Sequence, residues 1–249
     1  MKTKLPLLGL ALVLLACAKS DDSTPGRVNA PSQSLGNGKV NAWSEISADG
    51  VPQAIGFTLG KGALDNLPAT GTTQLMLSIP DEISQKTPFQ HIMVDWNAQG
   101  HEPPGIYDLP HFDFHFYMQP MAETMAIPPY AQAKAKFDNN PPADYIPAGF
   151  VKNPGGVPAM GAHWSDPNSP EFKGQKFTDT YIVGSYDGKV TFWEEMTTLA
   201  FIKTNPNTDL PAPQPLKYEK TGMYYPTRYG IKSLADGSYE VSFRQFVKR

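Results

Sequence analysis

The chain has 249 residues, a formal net charge of −3 and a single cysteine. Its 21 basic and 24 acidic residues form no basic patch in the sequence, which excludes nucleic acid as a partner. One cysteine excludes a disulfide framework and a Cys-based zinc knot.

Lys2 and Lys4 precede an apolar run over residues 5–16, and Cys17 follows it. The run falls short of the ~20 apolar residues that a permanent membrane span needs. It reads as a secretory signal. Leu14-Leu15-Ala16-Cys17 resembles the lipobox of bacterial lipoproteins. That resemblance implies an acylated Cys17, a lipid bilayer as partner and a place in the bacterial cell envelope. Ala18, where Asp would favour inner-membrane retention, points to the outer membrane. Secretion is the outcome if the lipobox is not used. Residues 1–17 are therefore expected to be a signal peptide. Residues 18–38, rich in Ser, Asp, Pro, Asn and Gly, are expected to be a flexible tether. Residues 39–249 have the size of one domain with a full core.

Strand patterns fill that domain. "VNAWSEISADGVPQAIGFTL" places Asp49-Gly50 between two alternating runs, a hairpin signal. "TTQLMLSIP" and "FQHIMVDW" are two further strands, with a helical turn at "DEISQ", and "FDFHFYM" is the next. "QPMAETMAIPPYAQAKAKF" has helical composition split by Pro128-Pro129, which predicts two short helices. Residues 139–174 are Pro/Gly-rich and have no period. Tyr145, Ile146, Phe150, Met160 and Trp164 within them predict a long ordered loop packed down on the domain. Asp187-Gly188 joins the runs of a long hairpin, "FTDTYIVGSYDGKVTFWEEMTTLAFI", and Asp236-Gly237 joins a last pair. The pattern predicts a mainly β fold, an antiparallel β-barrel or β-sandwich with one or two short helices.

The chemistry concentrates in "PHFDFHFYM". On a strand, His111, Asp113 and His115 share one face, while Phe112, Phe114 and Phe116 share the other. Residues i and i+4 lie ~13 Å apart at Cα, too far for two imidazoles to share one ion; i and i+2, at ~6.6 Å, can. A straight strand thus allows His111 with Asp113 or Asp113 with His115, whereas a bulge would join all three. Asp113 is either an alternate ligand or the carboxylate that orients an imidazole. His163, in "MGAHW", is the further imidazole ligand. Glu194 shares the more apolar face of "KVTFWEEM" with Val190, Phe192 and Met196. A carboxylate there is costly unless paired or metal-bound, so Glu194 is expected as a ligand or as general base. Glu195, on the mixed face, needs no explanation. His101 reads as a turn residue and His91 as structural. Trp164, Tyr117 and Phe116 are expected to wall a small-molecule pocket. No HExxH, GxSxG elbow or P-loop is present.

"GHEPPGIYDLPHFDFHFYM", "MGAHW" and "FTDTYIVGSYDGKVTFWEEM" together resemble a family of exported bacterial proteins, many of them lipoproteins. The resemblance spans roughly residues 45–245. It implies an exported β-rich domain in which His111, Asp113, His115 and His163 act as a set. The logic of histidines and a glutamate on β-strands is also similar to that of cupins and acetolactate decarboxylase, although Asp113 departs from the cupin His-x-His spacing. The expected cofactor is a divalent metal, with Zn, Mn, Fe, Ni and Cu(II) all suited to N/O donors. The expected function is an envelope-anchored metal-site protein, with metal-dependent chemistry on a small molecule as its enzymatic form. Two alternatives stand beside it: a non-enzymatic metal- or ligand-binding protein, and a structural or self-assembling domain without metal.

Overall fold

The computed structural model describes residues 26–249. The expected signal peptide, Cys17 and the first part of the expected tether lie outside the described residues. The strands in chain order are β1 (Arg27–Asn29), β2 (Gln33–Leu35), β3 (Gly38–Ile46), β4 (Pro52–Leu59), β5 (Thr72–Ser78), β6 (His91–Asn97) and β7 (His111–Tyr117). They continue with β8 (Val151–Lys152), β9 (Ala162–Ser165), β10 (Asp179–Tyr186), β11 (Lys189–Thr198), β12 (Leu210–Pro211), β13 (Tyr224–Ser233) and β14 (Tyr239–Lys248). Four short helices interrupt them: α1 (Asp81–Ser84), α2 (Met121–Met125), α3 (Tyr130–Phe137) and α4 (Leu199–Ile202). Both α2 and α3 follow a proline, Pro120 and Pro129, whose missing N–H costs nothing where a helix begins.

The strands form two antiparallel sheets. The first runs β1-β3-β4-β14-β13-β12, with β2 also on β3; the second runs β5-β6-β7-β11-β10-β9-β8. Neither sheet closes on itself, so the arrangement is sandwich-like and the barrel alternative is set aside. All three Asp-Gly pairs lie in hairpin connections as expected, with Asp187 and Gly188 both at positive φ in the β10–β11 turn. Only two of these sheets' outer edges, β8 and β12, end in two-residue strands, and β1 has three residues; β5, with seven, is the one long edge.

Aromatic side chains join the sheets. Phe114 of β7 meets Phe57 of β4 with ring centroids 4.9 Å apart, and Phe116 meets Phe243 of β14 at 4.6 Å. Phe89 and Trp193 complete the same cluster. Burying each phenyl contributes about 1.5–3 kcal/mol of transfer free energy, which makes this seam the main source of cohesion. Phe116 and Trp164 pack with it, so neither walls a pocket beside the imidazoles as expected from sequence. Tyr117, on the opposite face of β7, does lie beside them.

The expected tether begins to order earlier than residue 39. Arg27 lies over the Trp43 ring at 3.7 Å and pairs with Glu240 at 2.6 Å, which fastens β1 to the first sheet. The composition of residues 27–35 is that of a linker; their strands form because β3 offers an unpaired edge.

The outer face of the second sheet is also buried. Residues of the 101–110 and 160–177 connections cover it. Tyr107, Phe177, Ile182 and Met196 close one end, and Met93, Tyr117 and Phe192 close the other, with Met160 packed on them. The polar row of β7 lies between these two apolar groups.

Candidate metal centre

Three neighbouring strands supply the polar row. In register, β6 sets Asn97, Asp95, Met93 and His91 beside His111, Asp113, His115 and Tyr117 of β7. On its other side β11 sets Met196 beside Asp113 and Glu194 beside His115. Strand β9 brings His163 level with Gly184 of β10, next to Phe192 of β11. Gly184 is needed there, because a Cβ would stand 2.0 Å from the Phe192 ring. That ring packs edge-on against both His115 and His163, at centroid distances of 4.8 and 5.3 Å.

The imidazoles and carboxylates gather at two points rather than one. At the first, His101, His111 and Asp113 each offer a donor atom, all within 4.8 Å of one another. His111 Nε2 is 3.0 Å from Asp113 Oδ1, and His101 Nε2 is 3.2 Å from Asp113 Oδ2. Asn97 donates its side-chain N–H to Asp113 Oδ2 at 2.8 Å. The second point joins His115, His163 and Glu194 within the same limit. There His115 Nε2 is 3.5 Å from Glu194 Oε1, and His163 Nε2 is 3.9 Å from Glu194 Oε2. Donors bonded at ~2.1 Å to a tetrahedral zinc stand ~3.4 Å apart, and the observed 3.0–3.9 Å straddle that spacing.

Hydrogen bonding fixes the tautomers at the first point. His111 Nδ1 donates to the Leu109 carbonyl at 2.6 Å, and His101 Nδ1 donates to the Glu102 carbonyl at 2.8 Å. A carbonyl only accepts, so the proton of each neutral ring sits on Nδ1. In the neutral rings both Nε2 lone pairs then face the oxygens of Asp113, whereas a doubly protonated His101 donates its Nε2–H to Asp113 Oδ2 at 3.2 Å. His111 Nε2 and Asp113 Oδ1, though 3.0 Å apart, are buried without a hydrogen bond between them. Buried polar atoms are rarely left so, and each one costs about 1–3 kcal/mol.

Charge follows the same geometry. Burial works against ionisation of Asp113, but N–H donation and positive charge from the His101 and His111 rings in their protonated forms outweigh it and hold its carboxyl well below the usual range, so Asp113 is an anion ready for a cation. Burial lowers His115 to about 3 and His163 to about 4, so both rings are neutral, the state in which imidazole binds metal. Burial, reinforced by the Asp113 and Asp95 charges, pushes Glu194 well above the ordinary carboxylate range. Burial and then Asp113 push Asp95 up to about 8. These carboxyls have no cation from Lys or Arg beside them among the described ion pairs.

The sequence expectations divide accordingly. His111 and His115 do not share a point, because β7 is regular and keeps them four residues apart. Asp113 turns to His111. His163 and Glu194 turn to His115, as the phase of β11 implies. His101 is not merely a turn residue: its ring reaches back to Asp113 while its side chain stays 40% exposed. His91 belongs to neither group and stacks on Tyr117 at 4.6 Å. Glu195 does need an explanation. It is buried on the inter-sheet face, where burial and the neighbouring Asp179 push its carboxyl well up. Asp95, buried with Oδ2 3.4 Å from His115 Nδ1, went unseen. A lone acid in the apolar run "HIMVDWN" was the available signal, because such a group is costly without a partner.

The family model TTHB210-like (hypothetical protein TTHB210) matches residues 47–96, about a fifth of the chain. The matched span holds His91 and Asp95 but no member of either triad. No curated protein and no solved structure matches the chain.

Proposed function

We propose that this chain is a metal-binding domain of the bacterial envelope and that His101, His111 and Asp113 hold one divalent transition-metal ion. A single observation carries the reading. Both Nδ1 atoms are spent on backbone carbonyls, so in the neutral rings two lone pairs and a carboxylate converge with no Lys or Arg beside them among the described ion pairs. A cation at that point satisfies all three donors together. Three protein donors leave one tetrahedral position open, as in zinc sites that bind water or a small ligand. The exposure of His101 gives that position a way to solvent. An ion so placed polarises a bound water or carbonyl, which is how metal-dependent chemistry on a small molecule belongs to the same reading. The all-N/O donor set suits Zn, Mn, Fe, Ni or Cu(II).

A metal-free reading has one observation in its favour. His101 stands within hydrogen-bond reach of an acceptor at both nitrogens, the Glu102 carbonyl at 2.8 Å and Asp113 Oδ2 at 3.2 Å, and both raise its pKa in spite of burial, as in an imidazolium paired with a carboxylate. The two readings separate on metal content. The purified full chain is expected to carry divalent metal, one equivalent of which is lost in His101→Ala. A chain that holds no metal, and takes up none from Zn²⁺ or Co²⁺, leaves the metal-free reading standing.

A further inference from the structure

The second triad has a neighbour that the first lacks. We propose that His115, His163 and Glu194 form a second, separate metal centre, and that Asp95 is the positioning residue that turns His115 Nε2 toward its ion. This rests on the reading of the first triad as a metal site.

The His115 ring lies between two carboxyls, with Asp95 Oδ2 3.4 Å from Nδ1 and Glu194 Oε1 3.5 Å from Nε2. Both ring nitrogens, both Asp95 oxygens and Glu194 Oε2 are buried without a hydrogen-bond partner. A neutral imidazole carries one N–H, so it serves one of these carboxyls and turns a lone pair to the other. His163 decides which. Its Nε2 approaches Glu194 Oε2 at 3.9 Å, which places a third donor on the Glu194 side, and among the described residues Asp95 belongs to no such group of donors within 4.8 Å of one another. The cation therefore belongs between His115 Nε2, His163 Nε2 and Glu194. Asp95 accepts the His115 Nδ1–H, the carboxylate–histidine arrangement that fixes tautomer and ring orientation beside a metal.

The two centres are independent. Four residues of extended chain separate the Cα atoms of His111 and His115 by ~13 Å. Asp113, the member nearest to His115 along β7, has both oxygens turned to His101 and His111. Bridged two-metal sites hold their ions ~3.5–4 Å apart, so this pair does not act as one.

The test titrates the full chain with Zn²⁺ by calorimetry and with Co²⁺ by visible absorption. The His101 and His163 side chains are 40% and 16% exposed, and their alanine variants are checked for an unchanged circular-dichroism spectrum before titration. The wild-type chain is expected to bind two ions, each single variant one, and the double variant none. In the His101→Ala background, Asp95→Asn is expected to weaken the remaining ion about 10–100-fold and to shift its Co²⁺ bands. In the His163→Ala background the same change is expected to do neither, and Asp95→Glu is expected to recover part of the loss. A single wild-type ion that disappears in His101→Ala overturns the second centre and leaves the first. A single ion that survives His101→Ala but not His163→Ala overturns the first alone. No ion at all overturns both, and equal weakening of both backgrounds by Asp95→Asn overturns the positioning role.

Discussion

The two faces of β7 are buried to the same depth by opposite means. One face inserts Phe112, Phe114 and Phe116 into the inter-sheet seam, where apolar contact alone suffices. The other sets His111, Asp113 and His115 beneath the covering connections, where every donor and acceptor needs a partner. The first face holds the fold together. The second is a cost to the fold unless something charged completes it. The comparison predicts that changes on the phenyl face alter stability and leave ion binding alone, and that changes on the imidazole face alter ion binding and reach stability only through the bound ion.

The largest expected effect breaks the first face. Phe114→Ala empties a fully buried ring position and is expected to cost about 3–5 kcal/mol, read by urea unfolding, with metal stoichiometry unchanged in the folded fraction. The next sharpens the second face. An ion present at about 100 times its Kd adds about 2.7 kcal/mol to folding, so a chelator is expected to lower the melting temperature of the wild-type chain. The chelator-induced drop is expected to shrink in His101→Ala; an undiminished drop removes His101 from the ion's shell.

A smaller effect belongs to the phenyl side. Burial raises the Asp179 carboxyl to about 7 against an ordinary value near 3.8. Its folded state thus holds a proton that the unfolded chain has released. The sign is that of a raised acid: stability falls as pH rises between about 4 and 7. Asp179→Asn is expected to flatten that slope in unfolding experiments across the window, and an unchanged slope assigns it elsewhere. The smallest effect on the domain is that of Cys17→Ser. It tests the lipobox resemblance: palmitate labelling and recovery with membranes that depend on Cys17 support it, their absence from the wild type overturns it, and melting temperature and metal content are expected to stay as they were.

What could be read beforehand follows the range of the forces involved. The Asp-Gly hairpins were legible because turn chemistry is local. The distance between His111 and His115 on a straight strand was legible because the rise is fixed, but whether a bulge would close it was not, because a bulge depends on how the neighbouring strands pair. Glu194 was legible through its apolar neighbours, yet Glu195 beside it was misjudged, because Thr191 and Thr197 made a buried face look mixed. His101 was illegible. It sits on an irregular connection, whose path from residue 101 back to Asp113 no periodicity describes. The ordering of residues 27–35 was hidden for a similar reason: the partner that pairs them comes from β3, and the cation–π and ionic contacts of Arg27 span the sheet.

The edges of the sandwich carry a consequence for solution behaviour. Strands of two or three residues at β1, β8 and β12 give an incoming chain too short a ladder to extend. The seven-residue β5 is the one margin long enough to template another strand, and the Gln33 side chain, reaching across from the first sheet, already occupies its Met76 carbonyl. That amide guards one carbonyl of this edge, and Gln33→Ala is expected to hasten edge-to-edge growth on prolonged storage, read by light scattering.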